Sequence, residues 1–143
     1  MTTTALWYGN ALVSAFSKKI DFLSDTIKAG LSTSSYVPDQ DAHVYLSDIT
    51  NEVTGGSYVR ETLGTKTLTY TAGTNTLALG CATITFPGVT IPDFRYLWIF
   101  DDTGVAGTSP LICYYDFGSA QVASAQDVTC TIAAGGLATL TVS

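Results

Sequence analysis

The sequence predicts an all-β protein, a single antiparallel β-sandwich over residues 1–143. It should contain about eight strands and a short helical turn near residues 40–48. Three observations carry this expectation. From Lys66 onward, apolar residues alternate with threonines, the period-2 pattern of a half-buried strand. Turn-forming Gly, Pro and Asn interrupt that pattern at the spacing of a sandwich. Two segments, "FRYLWIFD" (Phe94 to Asp101) and "PLICYYDF" (Pro110 to Phe117), are apolar on both sides and need cover on both faces. The chain is long enough for one domain that buries roughly two-thirds of its extended surface.

Taken in order, Ala11–Phe16 and Thr26–Thr33 read as strands joined by "DFLSD". Asp39 or Asp41 is placed to cap a helical turn running through Ser47, its carboxylate accepting backbone N–H groups that have no helical partner. Lys66 to Thr71 should turn Leu68 and Tyr70 inward against outward Thr67, Thr69 and Thr71. "AGTN" (Ala72 to Asn75) is the hairpin tip before Leu77 and Leu79 resume the alternation. Ala82, Ile84 and Phe86 form the next inward set, which Pro87-Gly88 should end. In "FRYLWIFD", Tyr96, Trp98 and Phe100 share one face and Leu97 and Ile99 the other. "DTGVAGTS" (Asp102 to Ser109) is a surface loop. A closing hairpin is expected from Val128, Cys130 and Ile132 through Ala134-Gly135-Gly136 to Leu140 and Val142. No repeat, linker or low-complexity tract interrupts this order.

Hydrophobic residues make up 46 % of the chain and charged residues 13 %, with a mean hydropathy of +0.28. So little charge favours a surface that is partly covered by partners, because charge keeps small domains apart in solution. The formal net charge is −6. Among the cations only Lys18 and Lys19 are adjacent, so no basic stripe exists to displace counterions from nucleic acid or to hold an anionic membrane. The apolar start lacks the positive n-region of a signal peptide, and no apolar run nears the roughly 18 residues of a membrane span. Synthesis in a cytoplasm without export is therefore expected. Cys81, Cys113 and Cys130 lie far apart in strand patterns, without Cys-x-x-Cys spacing, and read by default as free thiols acting as small hydrophobes, the alternative being one disulfide with one thiol left over.

The one concentration of chemical residues is "SSYVPDQDAH", with Asp39, Asp41 and the single histidine, His43. As a calcium loop starting at Asp39 it would need glycine at its sixth position and glutamate at its twelfth, where Val44 and Thr50 stand. His43 is the only general base available for a triad, and no Gly-x-Ser-x-Gly elbow or phosphate-binding glycine loop accompanies it. Carboxylates elsewhere, such as Glu52, Asp93, Asp101, Asp102 and Asp116, read as turn residues rather than a glycosidase pair. The expectation is no enzyme, no cofactor and no metal, with His43 a hydrogen-bonded loop residue. Aromatic rings near turns and termini supply the other candidates. Trp7, Tyr8, Tyr36, Tyr45 and Tyr58, together with Asp39, Asp41 and His43, form the expected protein-contact set, while a carbohydrate platform would use similar rings.

The segment "LWYGNALVSAFSKKIDFLSDTIKAGLSTSSYVPDQDAHVYLSDITNEVTGGSY" resembles the opening of a family of small virion proteins encoded in the structural modules of tailed bacteriophages. "TLGTKTLTY", "ATITF", "FRYLWIFDDTG" and "PLICYYDFG" resemble the family's later strands in the same order, so the likeness spans nearly the whole chain. It departs after "GGSY", where "VRETLG" replaces a longer glycine-rich stretch. The resemblance implies a β-sandwich that decorates or cements the head, bound to the major capsid protein and to copies of itself on the virion surface. The alternative it implies is a tail or head-fibre component that binds a host glycan or receptor.

Overall fold

The computed structural model describes residues 5–143 in full and the backbone of Thr2–Thr3. Nine strands form two sheets among the described residues. Around the larger sheet the order is β1 (Thr2–Thr3) and β2 (Leu6–Trp7) on β8 (Leu111–Ile132), then β7 (Ile84–Asp101), β3 (Ile27–Ser32) and β4 (Glu61–Thr62). The smaller sheet runs β5 (Thr67–Thr71), β6 (Thr76–Gly80), β9 (Ala138–Thr141). The pairings are antiparallel except β1 on β8, and the arrangement is that of a β-sandwich.

The spine is the β7–β8 ribbon, paired from Ile84 opposite Cys130 to Phe100 opposite Leu111. Pro87-Gly88 does not end β7 as expected. Between Phe86 and Val89 the register advances by three residues on β7 but by two on β8, so the pair forms a bulge and the strand continues. Proline is tolerated there because β3 flanks β7 only from Tyr96 to Asp101, leaving Pro87 and Pro92 on a stretch that β3 does not pair. The doubly apolar segments lie as the pattern demands. Leu97 and Ile99 enter the main core with Ile27, Leu31, Phe86 and Tyr115, whereas Trp98 and Phe100 enter a second cluster on the opposite face with Tyr8, Tyr36, Leu46 and Leu111. Residues from the irregular first third thus form a further layer over the large sheet.

Trp98 fixes how closely β3 can approach. Gly30 stands opposite it in the ladder, and a Cβ on Gly30 would fall 2.2 Å from the indole ring. The indole Nε1–H donates to Ser32 Oγ at 2.9 Å, so the ring's polar edge is satisfied inside the cluster.

Three further expectations are corrected. The segment read as a strand at Ala11–Phe16 is a helix, α1 (Asn10–Phe16), which buries Ala11 and Ser14 at i and i+3. Its short run fits either period, and packing on the sheet selects the helical one. The helix ends in a Schellman turn: Lys19 N–H donates to Ser14 O at 2.9 Å and Lys18 N–H to Ala15 O at 3.2 Å, with Lys18 at φ 60°. Second, Leu68 and Tyr70 do not point into the core; β5 is an edge strand reaching past it, and they are 45 % and 54 % exposed. Third, the chain does not close with a hairpin. After Ile132 it turns at Gly136 (φ 114°), where a Cβ would meet Leu79 O at 2.8 Å, and β9 pairs with β6 rather than with β8.

Candidate interaction surface at the Asp39–His43 loop and α1

The loop expected to carry a helical turn holds two. Asp39 Oδ1 accepts the N–H groups of Asp41 (3.0 Å) and Ala42 (2.9 Å), and Asp39 O accepts His43 N–H at 3.0 Å. Those amides, Ala42 foremost and then Asp41, hold the Asp39 carboxyl below its ordinary range. Asp39 is thus a cap, as its type and position suggested. A 3₁₀ turn at Leu46–Asp48 is fastened by Asp48 Oδ2, which accepts from Val44 N at 2.8 Å and Tyr45 N at 2.9 Å. Burial alone would raise the Asp48 carboxyl, but these two bonds bring it below its ordinary value.

Beneath the loop runs a chain of hydrogen bonds. Tyr8 OH lies 2.9 Å from Tyr36 OH, and Tyr36 OH lies 2.9 Å from His43 Nδ1. Asp39 N–H also points at His43 Nδ1, at 3.3 Å. Burial raises both phenols, Tyr36 to about 12, so both keep their protons at neutral pH. The one consistent direction is Tyr8 O–H to Tyr36 and Tyr36 O–H to His43 Nδ1, which assigns the neutral ring's proton to Nε2. His43 also stacks on Tyr36 with the ring planes 20° apart. The network is a rivet joining the strand before α1 to the loop.

The expected contact set is therefore divided. Tyr8 and Tyr36 are fully buried, so they cannot present their rings to a partner, and that part of the expectation is corrected. Trp7 is half-buried and its Nε1–H donates to Thr139 O at 2.7 Å. Tyr58 is also half-buried, stacked on Phe86; its OH accepts from Leu31 N–H and donates to Glu52 Oε1, both at 2.9 Å. It lies apart from the loop, in the main core. Tyr45 is half-buried, with its OH 3.0 Å from Lys19 Nζ. Asp39 and Asp41 are exposed and His43 half-buried. The structure brings Tyr8, Tyr36, Asp39, Asp41 and His43 together and leaves Trp7 and Tyr58 engaged elsewhere.

The loop lies alongside α1. Gly9 N–H donates to Gln40 O at 2.8 Å, Asn10 Nδ2 to Asp41 O at 3.3 Å, and Gln40 Nε2 to Trp7 O at 2.6 Å. The outward face of α1, which sequence reasoning missed by reading a strand, carries Val13 and Phe16, 63 % and 89 % exposed. Helical spacing of Ala11 and Ser14 was the only signal for it.

Elsewhere, two features bear on chemistry. Asp101, 3 % exposed, has no hydrogen-bond partner at Oδ2 among the described residues. Burial foremost, then the neighbouring Asp25 carboxyl, raises Asp101 to about 7, against an opposing pull from Lys66. The three cysteines are free, and burial pushes Cys81 and Cys130 up to about 11 and Cys113 higher still, far from a reactive thiolate. An open groove of about 790 Å³ runs over the smaller sheet, lined by Thr67, Thr69, Thr71, Ala78, Gly136 and Thr139 among others, with no carboxylate or imidazole in its wall. No group of three or more His, Cys, Asp or Glu side chains is placed to hold a metal ion among the described residues. No family model, curated protein or solved structure matches the chain.

Proposed function

We propose that this chain is a structural protein of a tailed-bacteriophage virion, most specifically a decoration or cement protein bound to the major capsid lattice and to copies of itself. The observation that carries the reading is the character of the surface. Phe16, Val37, Val122, Val13, Val59 and Val105 are each more than 60 % exposed. Half of the six cations are already paired inside the chain: Lys28 with Asp102, Arg60 with Glu52, and Arg95 with Asp116. A surface with so many apolar side chains and so little free charge gains by being covered. The whole-chain resemblance in the order of the strands points the same way. The loop chemistry adds support, since Asp39 Oδ1 accepts two backbone N–H groups as a cap and His43 Nδ1 faces the Tyr36 hydroxyl and the Asp39 N–H.

In this reading the sandwich is a rigid tile that bridges neighbouring capsomers. Each contact can be weak, because engaging several neighbours at once multiplies affinity through effective concentration. Particles assembled without the protein should release their genome at lower temperature or under milder osmotic shock, and adding the purified chain should restore the wild-type threshold. Unchanged particle stability in its absence would refute the cement role.

A further inference from the structure

We propose that the α1 face is a self-complementary contact on which a second copy of this chain docks, with the two α1 helices antiparallel across a two-fold axis. Val13 and Phe16, three residues apart, occupy the same outward side of the helix and are 63 % and 89 % exposed. Lys18 and Lys19 follow at its C-terminal end. Beside its N-terminal end lie Asp39 and Asp41, kept there by the Gly9–Gln40 and Asn10–Asp41 hydrogen bonds. Seven helical residues span about 10 Å, so one patch carries an apolar centre between a cationic end and an acidic one.

That arrangement selects its occupant. An antiparallel pair sets Lys18 of each copy against the aspartates of the other, Lys19 being held on the Tyr45 hydroxyl of its own chain, while Val13 and Phe16 cover their own counterparts; a parallel pair would oppose like charges. A partner surface of a single sign would satisfy only one end. The groups needed are available. Among the described residues Lys18 has no ion pair or side-chain hydrogen bond and the Asp41 carboxylate accepts no hydrogen bond. Lys66, by contrast, is held on the Asp25 carbonyl. Asp39 is fixed as a cap and supplies charge without having to move. The contact is one short helix and one loop, smaller than the about 800 Å² per partner of a stable dimer, so it is weak in solution. The inference does not depend on the virion reading, since it concerns the isolated chain.

Sedimentation of the full chain from about 10 µM to about 1 mM tests it. The wild type should pass from monomer toward dimer across that range, less so at high salt. Phe16→Glu should weaken association at least about tenfold, as should Lys18→Glu and Asp41→Lys singly. An equimolar mixture of the Lys18→Glu and Asp41→Lys proteins should recover it, because each reversed charge then meets a complementary one. Circular dichroism establishes that each variant is folded, which exposed positions favour. A wild type that stays monomeric to about 1 mM overturns the proposal and leaves this face to a different protein. So does a dimer that survives Phe16→Glu, or a mixture that fails to recover.

Discussion

Replacing Asp101 with Asn should make the protein more stable at neutral pH and leave it nearly unchanged in acid. Asp101 closes the β3–β7 ladder opposite Ile27, is 3 % exposed and shares its space with the Asp25 carboxyl. Its folded pKa of about 7 stands above the ordinary 3.8. A raised folded value means that the native state holds the proton more tightly than the unfolded chain. The stability linked to that proton is fully present below about pH 4, falls as pH rises toward 7 and levels off above it. Three pH units at about 1.4 kcal/mol each set a ceiling of about 4 kcal/mol. Asp25 is half-buried and Lys66 opposes the shift, so screening leaves about 2 kcal/mol, roughly 6 °C in melting temperature for a chain of this size. The assay is urea unfolding from pH 4 to 8.5, read as the difference between the wild type and Asp101→Asn. That difference cancels the carboxyls of Asp39, Asp48, Asp102 and Asp116, whose lowered values act in the opposite sense. The variant should gain on the wild type steadily between pH 4 and 7. A difference that stays constant across that interval refutes the reasoning.

Further outcomes follow from the packing. Gly30→Ala should cost about 3 kcal/mol or more, because the new methyl meets the Trp98 ring; a red-shifted tryptophan emission would report the displaced indole. Ser32→Ala should cost about 1–3 kcal/mol by leaving Trp98 Nε1–H unsatisfied in a buried cluster, measured by chemical denaturation. Lys18→Gly should stabilise the monomer by about 1 kcal/mol, since glycine adopts the left-handed turn that lysine occupies under strain; a melting temperature below the wild type would contradict this. Cys81, the least buried thiol, should react with a thiol reagent near pH 7 far more slowly than an unfolded cysteine, and urea should abolish the difference.

The strands from Ile84 onward were legible because period-2 alternation and doubly apolar segments report burial directly. Trp98 and Leu97 fall on opposite faces in the structure as they do in the pattern. What was not legible depends on distant partners. Pro87-Gly88 looks like a stop, and only the pairing with β8, on a stretch that β3 does not flank, carries the strand through it as a bulge. Leu68 and Tyr70 alternate like core residues but belong to an edge strand beyond the core. The last hairpin failed because β9 found the free edge of β6, a contact no local signal encodes. At the candidate surface the capping role of Asp39 followed from residue type and spacing. The burial of Tyr8 and Tyr36 did not, because it arises from packing against Trp98, Phe100 and Leu111, far along the chain, with the hydroxyls satisfied across 28 residues. The α1 face was hidden by a run too short to separate a helix from a strand.

The measurement that bears most directly on the central claim is a reconstruction of the intact phage particle with copies of this chain located and counted. The account predicts copies in the hundreds on the outer face of the head, seated on the capsid lattice. A ring of a few copies at the connector or tail, or no copies in the particle, would contradict it.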